Sequence, residues 1–153
     1  MLRALQAFGA QGVEYVLIGA AAMGVHGLVR ATEDLDVFIR ATAENVARLQ
    51  QAFREIYGSD PNIDQIEAKD LLGDYPAIRY YPPSGDLYFD VMTRLGTAAD
   101  YDTVEAEIKE VAGVSIRVAS PRALYRLKRD AVRPIDRQDA AMLRRAFQLE
   151  DDE

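Results

Sequence analysis

Leu2, Leu5 and Phe8 recur at helical spacing, which predicts a short amphipathic helix over residues 1–10, ended by Gly12. Glu14–Ile18 (EYVLI) is β-branched and aromatic, and predicts a buried strand. Gly19 and then AAAMGVHG follow; alanine favours a helix and the glycines keep it short. Leu35–Arg40 predicts a second strand, with Leu35, Val37 and Ile39 facing the core. Thr42 is placed to cap a long helix, with Asn45 three residues on. Val46, Leu49, Phe53 and Ile56 give that helix an apolar stripe to about residue 57, and Gly58–Pro61 breaks it.

Residues 62–75 show no clear period; IDQIEAKDLLG has room for a short helical turn. Ala77–Tyr81 and Leu87–Thr93 read as two strands of a hairpin around PPSGD. In the second of these, Leu87, Phe89 and Val91 share one face and Tyr88, Asp90 and Met92 the other. Asp100–Thr103 reads as a turn. Glu105–Val111 and Val114–Val118 alternate about Ala112-Gly113, a second hairpin, with a helix as the alternative for its first arm. Ser120-Pro121 starts a helix over 121–131 with Ala123, Leu124 and Leu127 inward. Pro134 interrupts, and Asp136 is read as the cap of a last helix with Ala140, Leu143 and Phe147 on its apolar side. The expected fold class is α+β: a mixed β-sheet with helices mainly on one face.

Composition changes this picture in a few places. A chain of 153 residues fits a single domain, read as residues 1–149 with an acidic tail at 150–153. No apolar run is long enough to span a bilayer, and MLRALQAFGAQG lacks the sustained apolar stretch of a signal peptide, so a cytoplasmic location is expected. With no cysteine, thiolate metal sites are excluded; with His26 as the single histidine, so is a multi-histidine zinc site within one chain. A net charge of -7 argues against a general nucleic-acid coat protein. The charge is uneven, however: Arg117 to Arg145 carries nine Lys/Arg against three Asp. That segment is either a solvated, ion-paired helical surface or a local positive field on an acidic protein.

The chemistry concentrates at the second strand. Asp34 and Asp36 are two residues apart, so their carboxylates leave the same face. Two adjacent carboxylates repel each other unless a cation lies between them. Hard oxygen donors in small number suit Mg²⁺, which completes its shell with water and substrate phosphates. Asp90, inside the apolar run LYFDVM, is the candidate third ligand. Its alternative role is an ion pair with an arginine such as Arg79 on the hairpin partner. Arg30 is read either as a phosphate clamp or as a group orienting Asp34 or Asp36; Thr32 either caps the turn or holds a phosphate. Lys128, between Arg126 and Arg129, is a candidate contact to a triphosphate. His26 is read as a packed, hydrogen-bonded residue rather than a catalyst.

These residues resemble the nucleotidyltransferase superfamily related to DNA polymerase beta, and within it the AbiEii-type branch, which includes toxins of toxin–antitoxin systems. The resemblance runs from about residue 13 to 145. It rests on EYVLI, the turn Gly19-Ala20, the step His26-Gly27, and then Arg30-Ala-Thr32-Glu-Asp34-Leu-Asp36. The later FDVM, with Asp90, matches the strand of the third carboxylate. SPRALYRLKRDAVRPIDRQDAAML, with Lys128, Asp136 and Asp139, matches the C-terminal helices. The resemblance implies Mg²⁺ on Asp34, Asp36 and Asp90, the triphosphate against Gly19 and Ala20, and Lys128 on the nucleotide. Ala20 departs from the usual glycine or serine, so a phosphate contact there uses the backbone N–H alone.

The function expected is Mg²⁺-dependent transfer of a nucleoside monophosphate from an NTP to an acceptor hydroxyl on an RNA end, a protein or a small molecule. A toxin with a cognate antitoxin would fit the branch. The alternative is a nucleotidyltransferase fold without turnover, acting as an antitoxin or regulatory binding module. A further reading is transfer to an aminoglycoside-like alcohol, a cation drawn to an acidic surface.

Overall fold

The computed structural model describes residues 1–28, 32–84, 87–97, 99–129, 131 and 133–150. In chain order the elements are α1 (Leu2–Ala10), β1 (Tyr15–Ile18), α2 (Gly19–Val25), β2 (Asp34–Ile39) and α3 (Ala43–Tyr57). A 3₁₀ turn (Pro61–Gln65) and the short α4 (Ala68–Leu71) lead to β3 (Ala77–Tyr80) and β4 (Tyr88–Met92). Then come β5 (Arg94–Leu95), β6 (Ala99–Asp100), β7 (Ala106–Val111), β8 (Val114–Ala119), α5 (Pro121–Arg129) and α6 (Pro134–Phe147). The class is α+β, with a six-stranded mixed sheet in the order β3-β4-β2-β1-β8-β7. β2 runs parallel to β4 and β1 parallel to β8, while β1/β2, β3/β4 and β7/β8 are antiparallel.

One face of the sheet is closed by α1 and α3. Phe8 of α1 meets Tyr15 of β1 and Phe53 of α3 edge to face, at centroid distances of 5.4 and 5.8 Å. Phe53 lies 4.9 Å from Phe89 of β4 and 4.7 Å from Tyr80 of β3. Leu35, Val37, Phe89 and Val91 are fully buried, as alternation from the apolar positions requires. Phe53→Ala would therefore open a large cavity, at a cost of about 3–5 kcal/mol.

Local signals acted where the chemistry was strong. Thr42 caps α3 by accepting from the Asn45 N–H at 3.1 Å, worth about 1 kcal/mol. Ser120 accepts from the Ala123 N–H at 3.1 Å, with Pro121 opening α5. Asn45, almost completely buried, joins α3 to the sheet. Its side-chain amide donates to the carbonyls of Glu14 (2.9 Å) and Arg40 (3.0 Å) and accepts from the Glu14 N–H (2.8 Å). Asn45→Leu orphans the Glu14 N–H, while the Glu14 and Arg40 carbonyls keep the N–H groups of Arg40 and Thr42, so chemical denaturation should register a loss of about 1–3 kcal/mol.

Several expectations change. The 121–131 helix ends at Arg129. α6 begins at Pro134 with Arg133 as its N-cap, so Asp136 is not the cap but the third helical residue. Proline at the first position sets the start, because its missing N–H is one that the first turn leaves unpaired anyway. Asp136 is thereby free to turn toward α5. The short β5/β6 pair has no signal in the sequence, because two-residue strands carry no readable alternation. Gly85 and Asp86 of the hairpin loop, Asp130 and most of the acidic tail (151–153) lie outside the described residues.

Candidate active site

The parallel β2/β4 register decides the site. It sets Asp36 level with Asp90 and Asp34 level with Tyr88. Side chains level across a sheet share a face, so Asp34, Asp36 and Asp90 converge opposite the α1/α3 core. One carboxylate oxygen from each lies within 4.8 Å of the other two. The open side of this cluster is a cavity of about 700 Å³. Gly19 and Ala20 of α2, Arg79 and Tyr88 of the hairpin, and Lys128 of α5 are on its walls.

Three like charges at this spacing make the unliganded cluster electrostatically unfavourable. Burial, then the neighbouring Asp34 and Asp90, push the Asp36 carboxyl up to about 8. Its Oδ1 is buried and has no hydrogen-bond partner. Asp34 goes the other way. Burial opposes its charge, but hydrogen bonding from the protonated Asp36 carboxyl and the Thr32 hydroxyl outweighs that and holds it below the usual carboxylate range. An orphaned buried oxygen beside two further carboxylates is a donor set that fits a hard divalent cation such as Mg²⁺.

Folded Asp36 keeps its proton up to about pH 8, whereas the unfolded residue releases it near 3.8. Between those values the folded chain binds more protons, so its stability falls as pH rises and levels off above about 8. Thermal melts without divalent metal should show this fall between pH 5 and 8.5. Added Mg²⁺ should stabilise more at pH 8.5 than at pH 5, where it competes with the proton.

Gly19 explains why the β1–α2 turn uses glycine. Its φ is +74°, and a Cβ built there would run into the Asp36 carboxylate. α2 starts with no side-chain cap, so its first-turn N–H groups have neither cap nor intrahelical acceptor. Gly19 and Ala20 line the cavity at that end.

The remaining predicted residues are placed as follows. The Thr32 hydroxyl donates to Asp34 Oδ1 at 2.6 Å and accepts from the Asp34 N–H at 3.2 Å, so it fixes the carboxylate's orientation. Arg30 lies outside the described residues. Asp90 lies in the cluster and is also held by Arg79, through Nε at 2.8 Å and Nη2 at 3.3 Å, the ion pair that the sequence offered as its alternative role. Lys128 is buried rather than solvated. Its Nζ donates to Asp136 Oδ1 (3.3 Å) and Asp139 Oδ2 (3.0 Å) while it borders the cavity. His26 is packed, with Nε2 2.8 Å from the Ala119 carbonyl and its ring edge-on to Phe147.

Sequence reasoning assigned no role to Arg133 or Tyr88, yet both line the cavity. Arg133 donates to Asp136 Oδ2 through Nε at 2.8 Å, and the negative field of Asp36 and Asp34 reaches it. Its readable signal was the spacing Arg133-Pro134-x-Asp136, an acid one turn from an arginine. Tyr88 shares a strand face with Asp90, which the alternation already showed.

No protein-family model matches the chain, and no curated protein is significantly similar in sequence. Solved structures are similar in fold. A Thermotoga maritima protein assigned to the nucleotidyltransferases, TM1012, superposes with a TM-score of 0.54 at 14% identity, covering 95% of this chain and 88% of that one. The fold is nucleotidyltransferase-like. ANT(2'')-Ia in complex with adenylyl-2''-tobramycin superposes with a TM-score of 0.57 at 15% identity, covering 95% of this chain and 86% of that one. The solution structure of the antibiotic-resistance factor ANT(2'')-Ia gives 0.50 at 17% identity, covering 95% and 88%. Among the described residues, no helix is long and apolar enough to cross a membrane.

Proposed function

We propose that this chain is a nucleotidyltransferase that moves a nucleoside monophosphate from an NTP to an acceptor hydroxyl. The observation that carries the reading is the convergence of Asp34, Asp36 and Asp90, with the buried, unpartnered Asp36 Oδ1, on one wall of a nucleotide-sized cavity. These three residues would hold Mg²⁺, which, when bound, neutralises phosphate charge and makes the acceptor oxygen a better nucleophile. The acceptor oxygen forms a bond to the α-phosphorus, the α–β bridging P–O bond breaks, and pyrophosphate leaves. The hydroxyl proton passes to a carboxylate of the cluster. Gly19, Ala20 and Lys128 bind the triphosphate, and Thr32 keeps Asp34 aimed.

We favour an RNA end as acceptor, in a toxin of the AbiEii type paired with an antitoxin in the cytoplasm. Support comes from a second, basic groove of about 590 Å³ between α5 and α6, bordered by Arg129, Arg137, Arg144 and Arg145. Such a groove suits a phosphate backbone on an otherwise acidic protein. A second reading has its own observation: the fold likeness to ANT(2'')-Ia, solved with adenylyl-2''-tobramycin, together with the net charge of -7, favours a cationic alcohol. The binding-module alternative predicts no turnover with any acceptor.

The test is incubation with Mg²⁺, each of the four α-labelled NTPs, and total tRNA, cell lysate or tobramycin. Label should appear on an acceptor and vanish with Asp34→Ala. Stable capture of a partner protein without label or nucleotide binding would favour the module.

A further inference from the structure

We propose that Tyr88 and Tyr81 form a stacking platform for a nucleobase beside the carboxylate cluster. The proposal rests on the nucleotidyltransferase reading for the location of the phosphates. The sheet register lays two rows across the carboxylate face. In one row Asp36, Asp90 and Arg79 lie level on β2, β4 and β3. In the next row Asp34 is level with Tyr88. Tyr81, the residue after β3, brings its ring 5.2 Å from that of Tyr88 at an interplanar angle of 35°.

Arg79 ties the two rows together. Its guanidinium carbon lies 4.7 Å from the Tyr88 ring centroid while Nε and Nη2 hold Asp90. Nη1 reaches the Tyr81 hydroxyl at 3.4 Å. The aromatic pair is thus fixed relative to the carboxylates rather than hung on a free loop. Even so, Tyr81 is 60% exposed, leaving an apolar ring surface open to a ligand.

The occupant follows from chemistry and spacing. Exposed tyrosines backed by an arginine plane are the surface on which proteins hold unpaired bases, because every base has a π-face. Successive same-face residues along a strand are roughly 7 Å apart. A nucleotide whose phosphate lies over the Asp36/Asp90 row can therefore set its base on the next row. The base of the incoming NTP and that of the acceptor's terminal residue offer the same recognising chemistry, a flat π-face.

The chain has no tryptophan, so Tyr81→Trp introduces a single indole reporter. Its fluorescence is titrated with each NTP plus Mg²⁺, a five-nucleotide single-stranded RNA, an abasic version of that RNA, and tripolyphosphate plus Mg²⁺. Quenching by base-bearing ligands alone is the expected result. Quenching by NTP assigns the platform to the donor base, and quenching by RNA to the acceptor base. Tyr88→Ala should weaken binding of the quenching ligand about 5- to 150-fold, and Tyr88→Phe, which keeps the ring, should restore it. Absence of quenching by both NTPs and RNA, or equal quenching by tripolyphosphate, overturns the platform. Calorimetry of tripolyphosphate and Mg²⁺ on wild type and Asp34→Ala judges the transferase reading separately. Binding there without any base quenching removes only the platform; base quenching without it removes only the transferase reading.

Discussion

Asp36→Asn should abolish nucleotidyl transfer while making the metal-free protein more stable at pH 8. The two effects have one cause. Asp36 sits between Asp34 and Asp90 with an unpartnered buried oxygen, and burial plus those neighbours push its carboxyl up to about 8. Above that pH the folded chain carries an uncompensated buried charge. An amide of nearly the same shape removes the charge, and its N–H₂ can donate to Asp34. The expected gain is about 1–3 kcal/mol, read from melts at pH 8 without divalent metal. The amide is a far weaker cation ligand, so the labelled-NTP assay should fall about a thousandfold or more. A variant that lost activity and also lost stability would mean that Asp36 is a structural residue.

Gly19→Ala should be the most damaging single-methyl change in the cleft. At φ +74° an alanine is strained by about 1–2 kcal/mol. Its Cβ also meets the Asp36 carboxylate, which must then shift away from Asp34 and Asp90. An ångström-scale displacement at a reacting centre costs on the order of a hundredfold in rate. Ala20→Gly is the matching control: it adds no atom to the cavity, so transfer should stay within about threefold. Turnover numbers for the two variants, measured beside their melting temperatures, separate misplacement of Asp36 from simple unfolding.

Much of the fold was legible because local chemistry and global packing agree. Thr42 and Ser120 are caps in the structure for the reason they look like caps: a side-chain oxygen meets an orphan N–H. The Ala112-Gly113 turn was readable too, since both residues take positive φ, as a tight hairpin turn demands. Strand alternation sets Phe89 and Asp90 on opposite faces. What alternation could not supply is register between strands far apart in sequence. That Asp90 comes level with Asp36 depends on β2 pairing with β4 in parallel, a tertiary fact.

Lys128 shows the opposite limit. In the sequence it is one cation in a basic helix and a candidate contact to a triphosphate, with no sign of which acids surround it. In the structure Asp136 and Asp139, contributed by α6, pay for its burial. A capping Asp136 would turn to its own helix, whereas here it turns to Lys128. Arg133 escaped notice for the same reason, because its meaning depends on which way Asp136 turns.

Three carboxylates from two parallel strands are expected to share one divalent ion with a nucleotide triphosphate. Crystals soaked with MnCl₂ and a non-hydrolysable NTP test it through the anomalous signal of manganese. A peak is expected roughly 2.0–2.3 Å from an oxygen of each of Asp34, Asp36 and Asp90, with triphosphate oxygens completing the shell. Well-ordered nucleotide in the cleft with no peak among those oxygens would contradict it.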